Sequence, residues 1–131
     1  MLGRILVLPV DRTRPVKVFE NREVGPGSHA EALLSGLGGY SAIVAYVRVR
    51  YSPGASEGAR VVWLYSPDGA NFDSVEEALS AGNCESLTFE AGGTRQRTLL
   101  IPIFAPYVKI LVENLDPGES LFATLSYILL R

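Results

Sequence analysis

The sequence has little of the chemistry on which catalytic and metal sites usually depend. Its 131 residues include one cysteine, Cys84, and one histidine, His29. A lone cysteine excludes an intramolecular disulfide and a cysteine metal cluster, and a lone histidine leaves a zinc site without its usual ligands. No Gly-x-Ser-x-Gly nucleophile turn is present to act with His29. We therefore interpret His29 as a loop or surface residue and Cys84 as a small packed residue.

Clustered charge is also missing. The sequence has 12 Lys and Arg residues against 14 Asp and Glu residues, a formal net charge of −2, and its basic residues are scattered. Nucleic-acid binding requires a clustered basic face, so we expect no nucleic-acid partner.

Long hydrophobic runs are the third absence. No run approaches the roughly 20 apolar residues of a membrane-spanning helix, so we expect no membrane span. Residues 1–11 contain a short apolar run but no small-residue cleavage site after it, which argues against a signal peptide. Together with the unpaired cysteine, this favours a protein that is made and kept in the cytoplasm, or is assembled there into something larger.

Most of the sequence consists of short stretches in which apolar and polar residues alternate, and 47% of its residues are hydrophobic. Alternation is clearest in residues 40–51 and is typical of a β-strand with one buried face. Residues 41–52 and 60–73 are predicted to form two paired strands that end in a Ser-Pro-Asp-Gly turn. Further strands are predicted at residues 5–10, 15–20, 87–90, 95–103, 107–114 and 120–130.

Turn and helix signals separate these strands. Residues 21–27 and 115–119 carry the glycine and proline chemistry of turns. Residues 73–82 predict a short helix with Asp73 as its N-cap and Gly82 as its left-handed stop.

Residues 28–35 are open to two interpretations. Ser28 and Glu31 have the spacing of a helix capping box, yet the segment lies between strand-like stretches and ends in glycine-rich sequence. In either case the pattern predicts one all-β domain over residues 1–131. We expect an antiparallel, jelly-roll-like β-sandwich of about eight strands with one short helix.

Three side chains near the predicted turn could hold a hard cation. Asp68, Asn71 and Asp73 place oxygen atoms within six residues, and calcium prefers such ligands. The same residues are also explained as turn formers and a helix cap, without a metal. Calcium is the single cofactor that the sequence suggests, and we expect no other.

Aromatic and basic residues supply candidates for ligand or interface contacts. Tyr46, Trp63, Tyr65 and Tyr107 could form a platform for a sugar, although burial is the expectation for Trp63. Arg48 and Arg50, on one face of their strand, could bind carboxylates or contact a partner. The last predicted strand, residues 120–130, is apolar on both faces. Such a strand is either central in its sheet or covered by another subunit.

Three pieces of the sequence together resemble a known family. They are residues 46–52, 62–73 and 101–116, which read as a strand, a Ser-Pro-Asp-Gly-x-Asn-Phe-Asp turn, and a strand with the pattern Tyr-Val-Lys-Ile-x-Val-x-Asn-x-Asp. This succession resembles the galactose-binding-like (discoidin-like) jelly roll and is similar to small sandwich proteins in virions of phages and archaeal viruses. The resemblance covers residues 24–130. It implies that residues 28–35 are extended, which favours the strand over the helix there.

The resemblance leaves function open, because the matching residues are turns and core positions. In such families loops at one end of the sandwich hold sugar or lipid, and no recognisable set of those residues is present. We therefore expect a non-enzymatic structural or assembly protein that acts through homo-oligomeric contacts or with other assembly proteins. The alternative is a carbohydrate-binding module with a glycan ligand.

Overall fold

Residues 14–131 form two four-stranded antiparallel sheets in the structure, a computed structural model that describes this part of the chain. The strands are β1 (Val16–Val24), β2 (His29–Leu34), β3 (Ala42–Tyr51), β4 (Ala59–Ser66), β5 (Cys84–Ser86), β6 (Thr94–Pro102), β7 (Tyr107–Asn114) and β8 (Leu121–Leu130), with one described helix, α1 (Val75–Ser80). The strand predicted at residues 5–10 lies outside the described residues. Within them, no helix has the length and apolar character needed to cross a membrane.

The strand order is that of a jelly roll. The first sheet has the order β1-β8-β3-β6 and the second sheet the order β2-β7-β4-β5. Most connections therefore cross from one sheet to the other, as in an eight-stranded double-sheet jelly roll. The predicted all-β antiparallel sandwich of about eight strands with one short helix is confirmed.

The hydrophobic core fills the space between the two sheets. Along β3, alternate residues are buried and the residues between them point to the other side, as the sequence pattern predicts. The largest fully buried side chains come from both sheets: Ile43, Val47, Val49, Ile101, Leu121 and Leu125 from the first, and Val61, Val62, Val108, Ile110 and Val112 from the second. Most of them interdigitate between the sheets and hold the sandwich together.

The predicted pairing of residues 41–52 with 60–73 is wrong. β3 pairs with β6 and β8, whereas β4 pairs with β5 and β7. The two strands lie in different sheets, and Ile43 of β3 and Val61 of β4 both belong to the core between them. A seven-residue loop, residues 52–58, gives the chain enough length to cross between sheets, whereas a tight hairpin turn would force pairing.

The predictions for two other segments near the start of the described chain have different outcomes. Residues 28–35 are extended as β2, so the strand interpretation is confirmed and the helix is wrong. The turn predicted at residues 21–27 begins later, because β1 continues to Val24. The first part of the predicted turn holds a β-bulge instead: Asn21 has a φ of 48°, and the pairing of β1 with β8 is interrupted before Arg22.

The helix has a different cap from the predicted one. Ser74, not Asp73, is the N-cap: its hydroxyl accepts a hydrogen bond from the Glu77 backbone N–H at 3.1 Å, and Glu77 Oε1 accepts one from the Ser74 N–H at 3.1 Å. Ser74 forms this reciprocal capping box because Glu77 stands three residues after it. Asp73 instead donates its N–H to the Tyr65 carbonyl.

α1 covers part of the second sheet's outer face. Ala78 packs there against Val62, Leu64 and Leu111, with Cys84 half-buried beside them. This position explains why Leu111 is buried although it points away from the main core.

The strand predicted at residues 87–90 is wrong. The short strand lies earlier, at Cys84–Ser86, because the chain leaving α1 reaches β4 at once and pairs with Arg60, Val61 and Val62.

One end of the sandwich is tied together by two buried polar side chains, Asn114 and Asp116. The Asn114 Nδ2 group donates to the carbonyls of Val24 (3.0 Å), Gly25 (3.2 Å) and Glu119 (2.7 Å), and Oδ1 accepts from the Asp116 N–H at 3.0 Å. Asn114 thereby connects the end of β1 with the end of β7 and the start of β8.

The Asp116 carboxylate extends the same network to the loop between β3 and β4. Oδ1 accepts hydrogen bonds from the backbone N–H groups of Ser56 (2.6 Å) and Glu57 (2.9 Å), and Oδ2 from those of Gly118 (3.0 Å) and Glu119 (2.7 Å). These bonds, led by the one from Ser56, hold the pKa of Asp116 well below its usual value.

Asn114→Ala is expected to destabilise the protein. The substitution removes the hydrogen bonds to the carbonyls of Val24, Gly25 and Glu119 and the one from the Asp116 N–H, although the Gly25 carbonyl keeps the Ser28 N–H. Each buried group left without a partner costs about 1–3 kcal/mol. We expect the free energy of unfolding in urea to fall by at least about 2 kcal/mol. The control is Asn71→Ala, which removes one exposed hydrogen bond to Asp68 and should change it by less than about 0.5 kcal/mol. Equal effects of the two substitutions would contradict the role of Asn114.

Stability should fall in acid because of Asp116. Its pKa is lowered in the folded state, so between the two pKa values the unfolded chain binds the extra proton, and stability decreases as pH falls below the unfolded value near 3.8. Asp116→Asn cannot titrate, so its unfolding free energy should be lower at neutral pH and should depend less steeply on pH below about 4. The measurement is urea unfolding from pH 7 to pH 3, with Glu76→Gln on the exposed helix surface as control. An unchanged acid slope in Asp116→Asn would contradict this account.

Candidate functional site

The outer face of the first sheet is the candidate site, and we call it the open face. It consists of five cross-strand rows over β6, β3 and β8: Pro102-Ala42-Leu130, Leu100-Val44-Ile128, Thr98-Tyr46-Ser126, Gln96-Arg48-Thr124 and Thr94-Arg50-Phe122. In the described part of the chain, the one helix packs on the second sheet and leaves this face uncovered.

The first two rows form an apolar end. Leu100 is 66% exposed, and its row neighbours Val44 and Ile128 are half-buried. Leu130 of the next row is also half-buried. The predicted two-faced apolar character of the last strand thus has two origins. β8 is central in its sheet, between β1 and β3, and its outward residues form part of this apolar end.

The last two rows form a basic depression of about 270 Å³, which we call the arginine pocket. Its lining residues are Asn21, Arg48, Arg50, Thr94, Phe122 and Thr124. Arg48 and Arg50 are brought together because they stand two apart on β3, where alternate side chains share a face.

Arg50 is held against an aromatic ring. Its guanidinium carbon lies 4.5 Å from the centroid of the Phe122 ring, the residue opposite it on β8, in a cation–π contact. Neither Arg50 nor Arg48 forms an ion pair with any residue of the described chain. The neighbouring loop carboxylates have other partners: Glu119 accepts from Ser52 Oγ at 2.6 Å, and Glu90 pairs with Arg95 at 3.0 Å.

The bulge in β1 completes the wall of the pocket. The Asn21 backbone N–H donates to Thr124 Oγ1 at 3.0 Å, in place of a regular ladder hydrogen bond. Thr124 is buried, and this bond uses its oxygen as acceptor, so the hydroxyl hydrogen is available as a donor. Bulges of this kind occur where a strand redirects a side chain next to a site.

Sequence reasoning found Arg48 and Arg50 but missed the other residues of the pocket. Phe122 and Thr124 alternate on the last predicted strand, and that alternation alone indicated a shared face. What was missing was the register that places them opposite Arg50 and Arg48. Asn21 was interpreted as part of a turn.

The four aromatic side chains considered as a platform are not brought together. Tyr46 lies on the open face, next to the arginine pocket along β3. Tyr107 begins β7 in the second sheet, where its ring packs over Gly69. Trp63 is 7% exposed, and Tyr65 packs against the core and donates to the Pro102 carbonyl at 2.6 Å.

Asp68, Asn71 and Asp73 lie in the loop after β4. Asp68 Oδ1 accepts hydrogen bonds from the backbone N–H groups of Asn71 (2.8 Å) and Ala70 (2.9 Å), and Oδ2 accepts one from the Asn71 side chain (2.6 Å). These bonds, led by the Asn71 N–H, hold the pKa of Asp68 well below its usual value. Over residues 14–131, no group of three or more His, Cys, Asp or Glu side chains could hold a metal ion.

Comparison with known proteins gives a distant structural likeness. No protein-family model and no curated protein sequence matches the chain. Among solved structures, the chain is similar to part of a family GH115 4-O-methyl-α-glucuronidase with specificity for decorated arabinogalactans, with 13% identity and a TM-score of 0.47. The match covers 97% of this chain and 18% of that protein, so the chain spans about a fifth of its length. The β-sandwich architecture itself follows from the observed strand order.

Calcium is expected to leave the melting temperature unchanged, because protein donors already occupy the Asp68 carboxylate. The measurement is thermal unfolding with millimolar calcium or with a chelator, for the wild type and for Asp68→Asn. A bound ion at 100 times its dissociation constant would stabilise the fold by about 2.7 kcal/mol. A calcium-dependent rise that Asp68→Asn abolishes would establish the cation site and contradict this expectation.

Proposed function

We propose that this chain is a non-enzymatic structural domain that assembles with copies of itself through the open face. The observation that carries the proposal is the apolar end of that face, with Leu100 66% exposed and Val44 and Ile128 beside it. An exposed apolar sheet surface of this kind is typical of a protein interface.

The dimensions of the open face suit such an interface. Strands lie about 4.8 Å apart and rise about 3.3 Å per residue, so four strands of nine or ten residues present a face of roughly 20 by 30 Å. A standard interface buries about 800 Å² of accessible surface on each partner. A pleated face of these dimensions supplies an area of this order when two copies pack face to face.

The narrower expectations belong to the same proposal. The resemblance to galactose-binding-like jelly rolls and to sandwich proteins of phages and archaeal viruses suggests a virion or surface-assembly subunit formed in the cytoplasm. A carbohydrate-binding module is the second candidate function. The observation that favours it is the arginine pocket, a polar depression with hydrogen-bond donors on its wall.

Leu100→Glu is expected to convert an assembled protein into a monomer. The wild type should have a mass of at least twice 14.2 kDa by size-exclusion chromatography with light scattering. A glutamate at position 100 would bury a charge in the interface, so we expect the dissociation constant for self-association to rise at least about 100-fold.

The matched control is Leu33→Glu. Leu33 is 55% exposed, but it lies on β2, at the edge of the second sheet. The Leu33→Glu variant should have the same assembled mass as the wild type. A wild type that is monomeric at high concentration would overturn the assembly proposal, and disruption by Leu33→Glu alone would place the interface on the other sheet.

A further inference from the structure

We propose that the arginine pocket is a binding site for a small organic oxyanion, a compact molecule that carries a carboxylate or phosphate group. Two guanidinium groups, Arg48 and Arg50, line one depression together with the hydroxyls of Thr94 and Thr124, and no Asp or Glu side chain lines it. A site that offers donors and positive charge selects an acceptor with negative charge.

The two arginines are available for a ligand. Their guanidinium groups form no ion pair within residues 14–131, although 13 of the 14 acidic residues of the sequence lie in that range. On the same face of the sheet, Glu23 stands opposite Phe122 on β1 without pairing with either arginine. Both charges therefore face solvent in a shared concave site, and an incoming oxyanion has no internal carboxylate to displace.

Part of the site is organised before a ligand arrives. The Phe122 ring holds the Arg50 guanidinium at 4.5 Å, which limits the conformations of a long side chain. The Asn21 N–H fixes the Thr124 hydroxyl oxygen at 3.0 Å. Binding then costs less side-chain entropy than it would at two unrestrained surface arginines.

The size and composition of the pocket indicate the class of ligand. Its volume of about 270 Å³ lies just below the usual range for small-molecule pockets, about 300–1,000 Å³. The planar guanidinium groups of the two arginines suit an oxyanion, because their paired N–H donors match two oxygens of a carboxylate or phosphate. Phe122 adds an apolar surface that an inorganic ion would not use. One sugar acid or a molecule of similar size fits these features.

The pocket lies at the opposite end of the open face from the apolar rows that carry the assembly proposal. It occupies the Arg48 and Arg50 rows, whereas the apolar end occupies the Ala42 and Val44 rows, and the Tyr46 row lies between them. Two copies packed over the whole open face would cover the pocket, so ligand binding is measured in the Leu100→Glu variant, which is expected to be monomeric, as well as in the wild type. Failure of one proposal is then distinguishable from failure of the other.

Titrations followed by amide NMR spectra test the site directly. The probes are D-galacturonate, its neutral counterpart D-galactose, and inorganic phosphate, each added to the full chain at constant ionic strength. We expect galacturonate to shift the amide signals of Arg48, Arg50, Phe122 and Thr124, and galactose to shift them far less.

Three variants decide whether the arginines are responsible. Arg48→Ala and Arg50→Ala should each weaken galacturonate binding at least about 10-fold, since each removes a charge-assisted contact. Arg97→Ala is the matched control: it removes the same charge from neighbouring β6, where Arg97 pairs with Glu85 outside the pocket, and it should leave binding unchanged.

The remaining outcomes overturn the proposal in defined ways. Equal shifts with galactose would show that charge is not recognised. Binding of inorganic phosphate without binding of galacturonate would contradict the proposal that the ligand is an organic molecule. Absence of shifts with all three probes, or an equal loss of binding in Arg97→Ala, would rule out a site built on Arg48 and Arg50. Wild-type amide spectra for each variant show that the fold is intact.

Discussion

Hydrogen bonding by two buried polar side chains, Asn114 and Asp116, holds the crossovers at one end of the sandwich. Asn114 binds the carbonyls of Val24 and Gly25, where the chain leaves the first sheet, and of Glu119, where it returns. Asp116 binds the loop between β3 and β4. Three connections between the sheets therefore meet at one small network. Leu121, beside Phe122 in the chain, pairs with Val24, whose carbonyl accepts a hydrogen bond from Asn114, so the arginine pocket lies next to this network.

The connections between strands give the outer faces of the two sheets different environments. The chain between β4 and β5 forms α1, which packs over Val62, Leu64 and Leu111 of the second sheet. No described helix covers the first sheet. Its outer face is therefore where apolar and basic side chains are both accessible, and the proposed contact surface and the proposed ligand pocket share one sheet. Separation along β3, with Val44 near one end and Arg50 near the other, keeps the two chemistries apart.

Periodicity was enough to predict much of the fold, but pairing was not readable from the sequence. Alternation along β3 gave the inward and outward residues correctly, because burial on one face imposes a period of two. The partners of β3 depend on contacts between residues 44 to 88 apart in the chain, such as Arg50 with Thr94 and Phe122, and no local pattern records them. Arg48 and Arg50 stand two apart on one strand, so the sequence alone showed that they share a face. Asn21, Phe122 and Thr124 lie on other strands, so the sequence did not show that they line the same pocket.

The bulge at Asn21 also affects how sheets of neighbouring molecules can meet. β1 is an edge strand, and an edge with regular unpaired N–H and C=O groups invites another chain to extend the sheet. At Asn21 the backbone turns to φ 48°, and Lys17, Glu20, Arg22 and Glu23 place charges along the strand. At the edge of the second sheet, β5 has only three residues. Strand addition is thus discouraged at β1 and β5, which leaves β6 and β2, the other two edge strands, as the positions where a neighbouring molecule could extend a sheet.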